Sequence, residues 1–434
     1  MRILFLTQIV PYPPDAGPKV KTWHVIRYLT ELGHEVILAT FARPEEEQYV
    51  PVLEEICHRV YTVPLKRSRI EDVGFLIRSI FSGRPFLVER DDLDKMRILV
   101  RSILSGQDIN VVHADQLTMT QFGFPSGEQI SKNEALNEKG SSLHVVPFRV
   151  FDAHNAVWTI LERMSGNVAW YLQPFAKFEA RKIRKFEGKI VRDFDHTLAV
   201  TDIDKSALIS AAAFRNNGSS RAETTISVVP IAVDTSEIQP VDLLERSDTI
   251  LTLGTLHYPP NADGIRWFIE QVYPLIREKH SNTNLTIIGK NPPADFIRFA
   301  EHNPDHVTVT GYVPDLEPYF KNAAVLVIPV RAGGGMRVRI LEGMAYGQAI
   351  VTTTVGLEGI EAESGKNVLV ADTPNDFAEA VLKLLDNFDL RREIAKNGRD
   401  LVVSKYDWRV VLKKVKDIYL EFERNDQGIS PNVE

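Results

Sequence analysis

The chain has 434 residues, 44% of them hydrophobic and 25% charged, which indicates a globular protein of two or three domains and excludes a disordered or fibrous chain. The formal net charge of −7 gives no basic excess, so nucleic acid is not an expected partner. The single cysteine, Cys57, excludes an internal disulfide and a cysteine-based zinc cluster, and we expect it to be a small buried side chain in a reducing cytoplasm.

The first elements of the chain predict a buried strand, a loop and a helix. Residues 3–7 are apolar, residues 11–18 are rich in Pro and Gly, and a helical pattern then ends at Gly33. Because Gln8 and Pro11 interrupt the apolar start, we interpret it as a strand and not as a signal peptide. No run reaches the roughly 18 apolar residues of a membrane span, so contact with a membrane is expected only from the side.

Short apolar strands alternate with helical patterns along the rest of the chain. Continuous apolar strands separated by helices predict parallel sheets covered on both faces. The predicted fold class is therefore α/β, with two Rossmann-like doubly wound domains that face a cleft. The predicted strands are 35–40, 110–113, 148–151 and 196–200 in the first half, and 227–229, 249–253, 285–288, 307–309, 325–328 and 349–352 in the second.

Two polar segments suggest where the chain divides. Residues 126–142 lack apolar periodicity and are interpreted as a mobile insertion, and residues 216–223 as a domain boundary. The predicted divisions are a first domain at 1–222, a second domain at 226–405, a helix at 406–424 that packs back on the first domain, and a disordered tail at 425–434.

In doubly wound sheets, ligands bind beyond the carboxyl ends of the strands, so ligand-binding residues are expected in the loops that follow the strands. The loop after the first strand lacks the GxGxxG spacing of a dinucleotide site. Gly17 at a helix start, with Lys19 close by, is nevertheless a candidate for binding an anion or sugar. An ordinary strand–helix loop is the alternative.

The glycine-rich segment after the strand at 325–328 carries the most information. Gly333, Gly334, Gly335 and Met336 lead into a helix without a bulky side chain at its entry, which allows a diphosphate to approach the helix N-terminus. Two basic side chains and one acidic side chain follow, namely Arg337, Arg339 and Glu342. The arginines supply fixed positive charge, and the carboxylate can accept two sugar hydroxyls.

At this point the sequence resembles family 4 of the retaining glycosyltransferases and its near relatives, which have the two-domain GT-B architecture. The resemblance covers nearly the whole chain and is most specific in the second half. The matching pieces there are 253–256, 288–289, 311–316, the glycine-rich segment and 353–359, and those in the first half are 152–155, 201–204 and 229–234.

The resemblance implies a role for individual residues. Glu342 matches the second glutamate of the family's E-x7-E motif, which binds ribose hydroxyls, while the first glutamate falls on Gly334. Gly289 and Val313 would border the base. After Gly254, Thr255 stands at the family's arginine position, and residues 259–261 replace its lysine region. Arg337 and Arg339 are therefore our candidates for the missing charge, with Arg337 as the diphosphate ligand and Arg339 as its helper or a surface residue.

Candidate catalytic residues follow two strands of the first half. His113 and Asp115 follow one strand and His154 follows the next, and each could orient or deprotonate an acceptor hydroxyl. The alternative is that these side chains only cap the helices that follow. The histidines form no HxxxH or HExxH pair, so we predict no metal and no cofactor, with the arginines and the helix terminus neutralising the leaving diphosphate.

A basic helical pattern at 177–189 has two interpretations. It is a solvated face in which Glu179 and Glu187 pair with the neighbouring basic residues, or it docks on anionic lipid. The expected partners are a nucleoside-diphosphate sugar and a glycan or lipid-linked acceptor, in the cytoplasm or at the inner face of the membrane.

The predicted function is transfer of a sugar, such as a hexose, from a nucleoside-diphosphate sugar to an acceptor hydroxyl with retention, in the synthesis of a cell-surface polysaccharide or glycolipid. Two alternatives remain open. One is a sugar-nucleotide 2-epimerase, which would need a cluster of acidic and histidine residues that we do not place in the sequence. The other is a non-catalytic relative that binds a nucleotide sugar or glycan.

Overall fold

The computed structural model describes residues 1–124, 146–165, 169–214 and 225–426. The chain forms two compact units, the first made of Met1–Val229 with Leu412–Glu434 and the second of Pro230–Val411. The predicted insertion at 126–142, the predicted boundary at 216–223 and most of the predicted tail lie outside the described residues.

Unit 1 contains a seven-stranded sheet in which every pair of neighbours is parallel, in the order β3-β2-β1-β4-β5-β6-β7. Strand β4 is buried along its whole length and β1 is buried from its second residue onward, as the continuous apolar sequences of strands covered on both faces predict. The strands are β1 Arg2–Thr7, β2 Glu35–Ala42, β3 Arg59–Pro64, β4 Val111–Asp115, β5 Phe148–Ala153, β6 His196–Ala199 and β7 Ile226–Val228.

The helices of unit 1 begin and end where the local sequence allows. Helix α1 has Pro18 in its first turn, which suits a position whose N–H has no partner in the helix, and Gly33 follows with a φ of +82°. The helices are α1 Gly17–Glu31, α2 Val50–Ile56, α3 Arg69–Ser82, α4 Phe86–Arg90, α5 Asp94–Gly106, α6 Val157–Ser165, α7 Gln173–Asp193 and α8 Asp202–Ala213, with 3₁₀ turns at Pro44–Tyr49 and Leu117–Phe122.

The prediction for the strand near residue 227 was wrong about its sheet. The apolar run at 227–229 predicts the first strand of the second domain, but β7 pairs with β6 at the edge of the first sheet, with Thr197 opposite Ile226. An apolar run of three residues specifies a strand but not the partner strand. Strand β3 was missed because its exposed and half-buried positions break the apolar run.

Unit 2 contains a six-stranded parallel sheet in the order β10-β9-β8-β11-β12-β13. Its strands are β8 Thr249–Leu253, β9 Asn284–Ile288, β10 Val307–Gly311, β11 Val325–Ile328, β12 Ile350–Thr352 and β13 Leu369–Val370. Its helices are α9 Pro259–Trp267, α10 Tyr273–Lys279, α11 Ala294–His302, α12 Glu317–Asn322, α13 Val338–Ala345, α14 Pro374–Asp386, α15 Phe388–Leu401 and α16 Trp408–Val411, with π-helical turns at Phe268–Val272 and Val402–Tyr406.

The last helical stretch is divided between the units. Helix α16 belongs to unit 2, where the backbone N–H of Trp408 donates to the carbonyl of Val233. Helix α17, Lys413–Asp426, belongs to unit 1, where the ring of Phe422 stacks on Phe148 with centroids 4.7 Å apart. Among the helices that the structure describes, none combines the length and the apolar character needed to cross a bilayer.

Candidate active site and donor-binding site

The carboxyl ends of three neighbouring strands bring polar side chains together in unit 1. Strands β4 and β5 are parallel and in register, so Asp115 lies opposite Asp152. Thr7 ends strand β1 on the other side of β4. All three side chains are fully buried. The parallel sheet therefore concentrates acidic groups at the edge where ligands bind in folds of this kind.

Asp115 and His154 form a buried dyad. The Nε2 atom of His154 lies 2.7 Å from Oδ1 of Asp115, and because a carboxylate oxygen accepts, we assign the proton to Nε2. The hydroxyls of Thr7 and Thr22 lie 3.2 and 3.0 Å from the other carboxylate oxygen. These contacts fix the orientation of Asp115, and Asp115 in turn fixes the imidazole.

The other ring nitrogen of His154, Nδ1, is buried and takes no part in the contact with Asp115. His154 is 7% exposed, and its Nδ1 atom has no hydrogen-bond partner among the described residues. With the proton held on Nε2, Nδ1 of the neutral ring carries a lone pair. It can accept a hydrogen bond from a hydroxyl group, which is the role predicted for His154 from the sequence.

A second buried pair lies beside this dyad. The ammonium group of Lys21, on helix α1, binds the carboxylate of Asp152, and both side chains are almost completely buried. Burial alone would raise the pKa of Asp152, but the Lys21 charge and the nearby histidines outweigh it and leave this pKa below its usual range. Lys21 was missed in the sequence because a single lysine in an apolar helix carries no motif.

The side chain of His113 lies in the interior of unit 1. Its ring stacks on Phe5 with centroids 4.3 Å apart, its Nδ1 atom is 2.7 Å from the hydroxyl of Tyr419, and its Nε2 atom is 3.6 Å from Asp152. The side chain has no exposed surface. His113 therefore packs inside unit 1, and its catalytic role remains a prediction.

The structure brings together an acidic and histidine cluster that we did not place in the sequence. Ligand atoms of Asp115, Asp152 and His154 all lie within 4.8 Å of one another, which is the arrangement of a possible metal site. Within this cluster the ammonium of Lys21 binds one oxygen of Asp152, and the Nε2 atom of His154 contacts Asp115. The fixed ammonium of Lys21 thus supplies the positive charge that a metal ion would bring.

Two further carboxylates hold the loop that carries His154. Asp204 accepts from the backbone N–H of Ala156, and Glu187 accepts from the N–H groups of Val157 and Trp158. Glu187 is buried, which raises its pKa to about 8, and the two backbone hydrogen bonds only partly offset this rise. These carboxylates cap the first turn of α6 from α7 and α8, so their role depends on packing between helices and could not be read from their spacing.

The loop after β1 holds the other unit 1 candidates. Gly17 is the first residue of α1, and no side chain caps that helix at Ala16. The Lys19 ammonium lies 3.3 Å from the carboxylate of Glu46. A backbone anion site at Gly17 remains compatible with this geometry, whereas Lys19 would have to leave Glu46 to contact a donor.

In unit 2, the glycine-rich loop between β11 and α13 has a backbone that a ligand can approach closely. Gly333 and Gly335 have φ values of +107° and +82°, a region that other residues rarely adopt. The guanidinium of Arg337 folds back over the loop and donates to the carbonyl of Gly334 across 2.7 Å. Helix α13 then starts at Val338 without a side-chain cap and without an acidic residue in its first turn. Its N-terminal amides are thus oriented toward any anion in the loop.

Arg339 and Glu342 form an ion pair within the first turns of α13. Their side chains lie 2.6 Å apart and are 27% and 12% exposed. Arg337 precedes the helix as its N-cap residue, so the two arginines do not share a face. Arg339 therefore orients the carboxylate of Glu342, a role that the sequence analysis did not assign to it.

The remaining donor candidates lie at the carboxyl ends of β8 to β10. A Cβ on Gly289 would stand 2.0 Å from the carbonyl oxygen of Gly254, so these two backbones approach too closely for a side chain. The carbonyl of Thr255 accepts from the side chain of Asn261, and Val313 is half-buried after β10. Met336, at the end of the glycine-rich loop, is buried.

Two parallel-sheet α/β units of this kind define the GT-B fold of glycosyltransferases, which confirms the predicted fold class. The structure is similar to sucrose-phosphate synthase from Thermosynechococcus elongatus, with a TM-score of 0.67, 15% identity and coverage of 98% of this chain and 100% of that one. It is also similar to Alr3699/HepE from Anabaena in complex with UDP-glucose, with a TM-score of 0.62, 12% identity and coverage of 97% and 100%.

The sequence comparisons agree with this class. Residues 247–387, which lie in unit 2, match the family model of glycosyl transferases group 1. The chain is 22% identical to an uncharacterized 44.6 kDa protein in the cps region of Klebsiella pneumoniae, over 95% of this chain and 98% of that one. It is 26% identical to the capsular polysaccharide biosynthesis glycosyltransferase CapM of Staphylococcus aureus, over 36% of this chain and 43% of that one.

Proposed function

We propose that the protein transfers a sugar from a nucleoside-diphosphate sugar to an acceptor hydroxyl, with retention of configuration, in the synthesis of a cell-surface polysaccharide or glycolipid. The observation that carries this proposal is the loop from Gly333 to Arg337, which leads into an uncapped helix bearing Glu342. The match of residues 247–387 to the group 1 glycosyl transferases supports the class of reaction. The similarity to CapM, a glycosyltransferase of capsular polysaccharide biosynthesis, supports the biological setting.

In this proposal unit 2 binds the donor. The diphosphate lies against the glycine-rich backbone and the first amides of α13, where the partial positive charge of the helix end favours an anion. Arg337 exchanges its bond with the Gly334 carbonyl for a phosphate oxygen. Glu342 accepts the ribose hydroxyls, oriented by Arg339. Because the Anabaena relative holds UDP-glucose, UDP-sugars are the first donors to test.

The chemistry needs no protein nucleophile. The acceptor oxygen forms a bond to the anomeric carbon on the face from which the diphosphate leaves, and the bond between that carbon and the phosphate oxygen breaks. The acceptor proton passes to the leaving phosphate oxygen. Arg337 and the helix terminus stabilise the negative charge on the leaving group. In unit 1, the Nδ1 atom of His154 accepts a hydrogen bond from a sugar or acceptor hydroxyl and orients it.

We also propose that the transfer is independent of metal ions. In unit 1 the buried Lys21 ammonium already binds Asp152. In unit 2 Arg337 and the N-terminus of α13 are proposed to stabilise the charge of the diphosphate. The reaction is proposed to take place in the cytoplasm, with the acceptor presented as a glycan or as a lipid-linked molecule at the membrane surface.

One alternative has an observation in its favour. Gly334 replaces the first glutamate of the resembled motif, which is consistent with a protein that binds a nucleotide sugar without catalysis. The relatives named above give no support for an epimerase. Single-turnover incubation with a panel of nucleotide sugars separates these functions. Cleavage of one donor supports a transferase, an epimerised donor supports an epimerase, and saturable binding without any product supports the non-catalytic protein.

A further inference from the structure

Helix α3 presents an apolar stripe to solvent. At 100° per residue, its exposed apolar side chains fall within a sector of about 100°. The opposite side of the helix faces the protein through the buried Ser79. Exposed fractions range from 50% to 87% along the stripe, which consists of Ile70, Val73, Ile77, Ile80 and Phe81. A soluble helix normally buries its apolar sector, so this one lacks its partner in unit 1 as described.

A second exposed apolar group lies at the start of helix α7. Trp170 and Tyr171 are 81% and 66% exposed and pack edge to face with ring centroids 6.0 Å apart. Leu172, Phe175 and Phe178 continue the group into the first turns of α7, each more than 40% exposed. Trp and Tyr combine an apolar ring with a polar edge, which suits the boundary between lipid headgroups and acyl chains.

Lys182 joins the two helices. Its ammonium donates to the hydroxyl of Ser79 on α3 across 2.6 Å and lies 5.1 Å from the centre of the Phe178 ring. Ser79 lies on the side of α3 opposite the stripe, so this contact shows that α3 and α7 are neighbouring helices of unit 1. Together we call the stripe of α3 and the apolar start of α7 the apolar patch.

The exposed face of α7 is basic, and the acidic residues that we expected to balance it face inward. Glu187 is fully buried against the start of α6, and Glu179 is buried against Lys182 and the backbone of Phe86. The third acidic residue of the helix, Asp193, lies at its end, 4.0 Å from Lys189. The expected ion pair of Glu179 is present, with Lys182 three residues later, but the solvated-face interpretation was wrong about Glu187 and about the exposure of both glutamates. What remains outside is a row of exposed basic residues at intervals of four, formed by Lys177, Arg181, Lys185 and Lys189.

We propose that unit 1 docks on an anionic lipid bilayer, with the apolar patch inserted into the headgroup region and the basic row against lipid phosphates. An apolar surface with interfacial aromatic residues beside a one-sided basic row is the composition of a monotopic membrane contact. A protein partner is a poorer fit, because specific protein interfaces are depleted of lysine. The surface does not depend on the donor chemistry proposed for unit 2, and it would place a lipid-linked acceptor within reach of unit 1.

The test is co-sedimentation of the full chain with phosphatidylcholine vesicles, with and without phosphatidylglycerol. We expect binding to the anionic vesicles that weakens when NaCl is raised to about 1 M, where the Debye length falls to about 3 Å. The double variant R181Q/K185Q should bind about 25-fold more weakly, at about fivefold per charge. The double variant I77S/F81S should lose about tenfold or more.

Matched variants on unit 2 control for charge and hydrophobicity. K383Q/K396Q removes the same charge from exposed sites, and I297S removes an exposed apolar side chain. Both should bind vesicles as the wild type does. All variants should retain cleavage of a soluble nucleotide sugar, so a failure of docking is distinct from a failure of the proposed transferase activity.

A fluorescence measurement locates the contact. Brominated lipids should quench the protein fluorescence through Trp170, and the W170F variant should lose most of that quenching while still binding. The proposal is overturned if the wild type does not bind anionic vesicles at low salt, or if the patch variants bind as well as the unit 2 controls. It is also overturned if light scattering shows a dimer that I77S/F81S converts to a monomer with unchanged vesicle binding.

Discussion

Replacing Asp115 with Asn is the sharpest test of the unit 1 site, because it keeps the shape of the side chain and removes its charge. Asp115 is fully buried and contacts His154 across 2.7 Å. An amide in that place can keep its oxygen toward Nε2 and donate its N–H groups to the hydroxyls of Thr7 and Thr22, which donate to backbone carbonyls. The imidazole then loses the negative charge of its partner, so Nδ1 becomes a weaker acceptor for a sugar hydroxyl.

The size of the effect follows from the bonds that are lost. A hydrogen bond to a charged group contributes about 1.5–3 kcal/mol, so D115N should lower kcat by about 10- to 150-fold. The KM for the donor should change little because the donor is proposed to bind unit 2. Steady-state kinetics with the best donor of the panel measures both constants, and a melting curve tests the fold.

A matched control for this substitution is E89Q, since Glu89 is also buried in unit 1 and paired with arginines but lies outside the dyad. It should cost stability without lowering kcat. The account of the dyad would be refuted if D115N, correctly folded, kept kcat within about threefold of the wild type, or if E89Q lowered kcat to the same extent.

The other predictions concern the donor site, the metal and the pH. E342A should weaken nucleotide-sugar binding by on the order of 1.5–3 kcal/mol, measured by calorimetry, and unchanged affinity would contradict the ribose contact. R337K should reduce kcat because the point charge of lysine cannot replace the bidentate guanidinium of arginine. R339A should mainly raise the KM for the donor, because Glu342 loses the ion pair that orients it. If R337A and R339A both keep kcat within about threefold of the wild type, the proposed leaving-group site is wrong. Excess EDTA should leave full activity, and a loss restored by Mg²⁺ or Mn²⁺ would contradict the arginine-based account. The pKa of Glu187 rises from 4.5 to about 8 on folding, so its stabilising contribution is complete below pH 4.5 and is lost as the pH rises through about 8. The free energy of unfolding of E187Q should therefore decline less between these pH values than that of the wild type, by on the order of a few kcal/mol. Parallel curves of unfolding free energy against pH for the two proteins would refute this prediction.

The sequence determined those features that depend on neighbours along the chain. Apolar runs such as residues 3–7 and 325–328 are buried central strands because a strand covered on both faces must be apolar throughout. The glycines at 333–335 specify a turn that other residues rarely adopt, and two of them do have positive φ. The fold class and the position of the loops after the strands were therefore predictable. The roles of the residues in those loops remain predictions.

The tertiary structure decided which groups meet. Lys21 and Asp152 are 131 residues apart in sequence, and only the packing of α1 on the sheet pairs them. The sheet to which residues 226–228 belong depends on the free edge beside β6, which a three-residue run does not encode. Tertiary contacts also determine which residues of α7 face the protein. Glu187 faces inward because it accepts from the backbone N–H groups in the first turn of α6, and the basic row is left on the outside. Local patterns fix secondary structure because its hydrogen bonds are local, whereas buried charges are placed by partners that are distant in the chain.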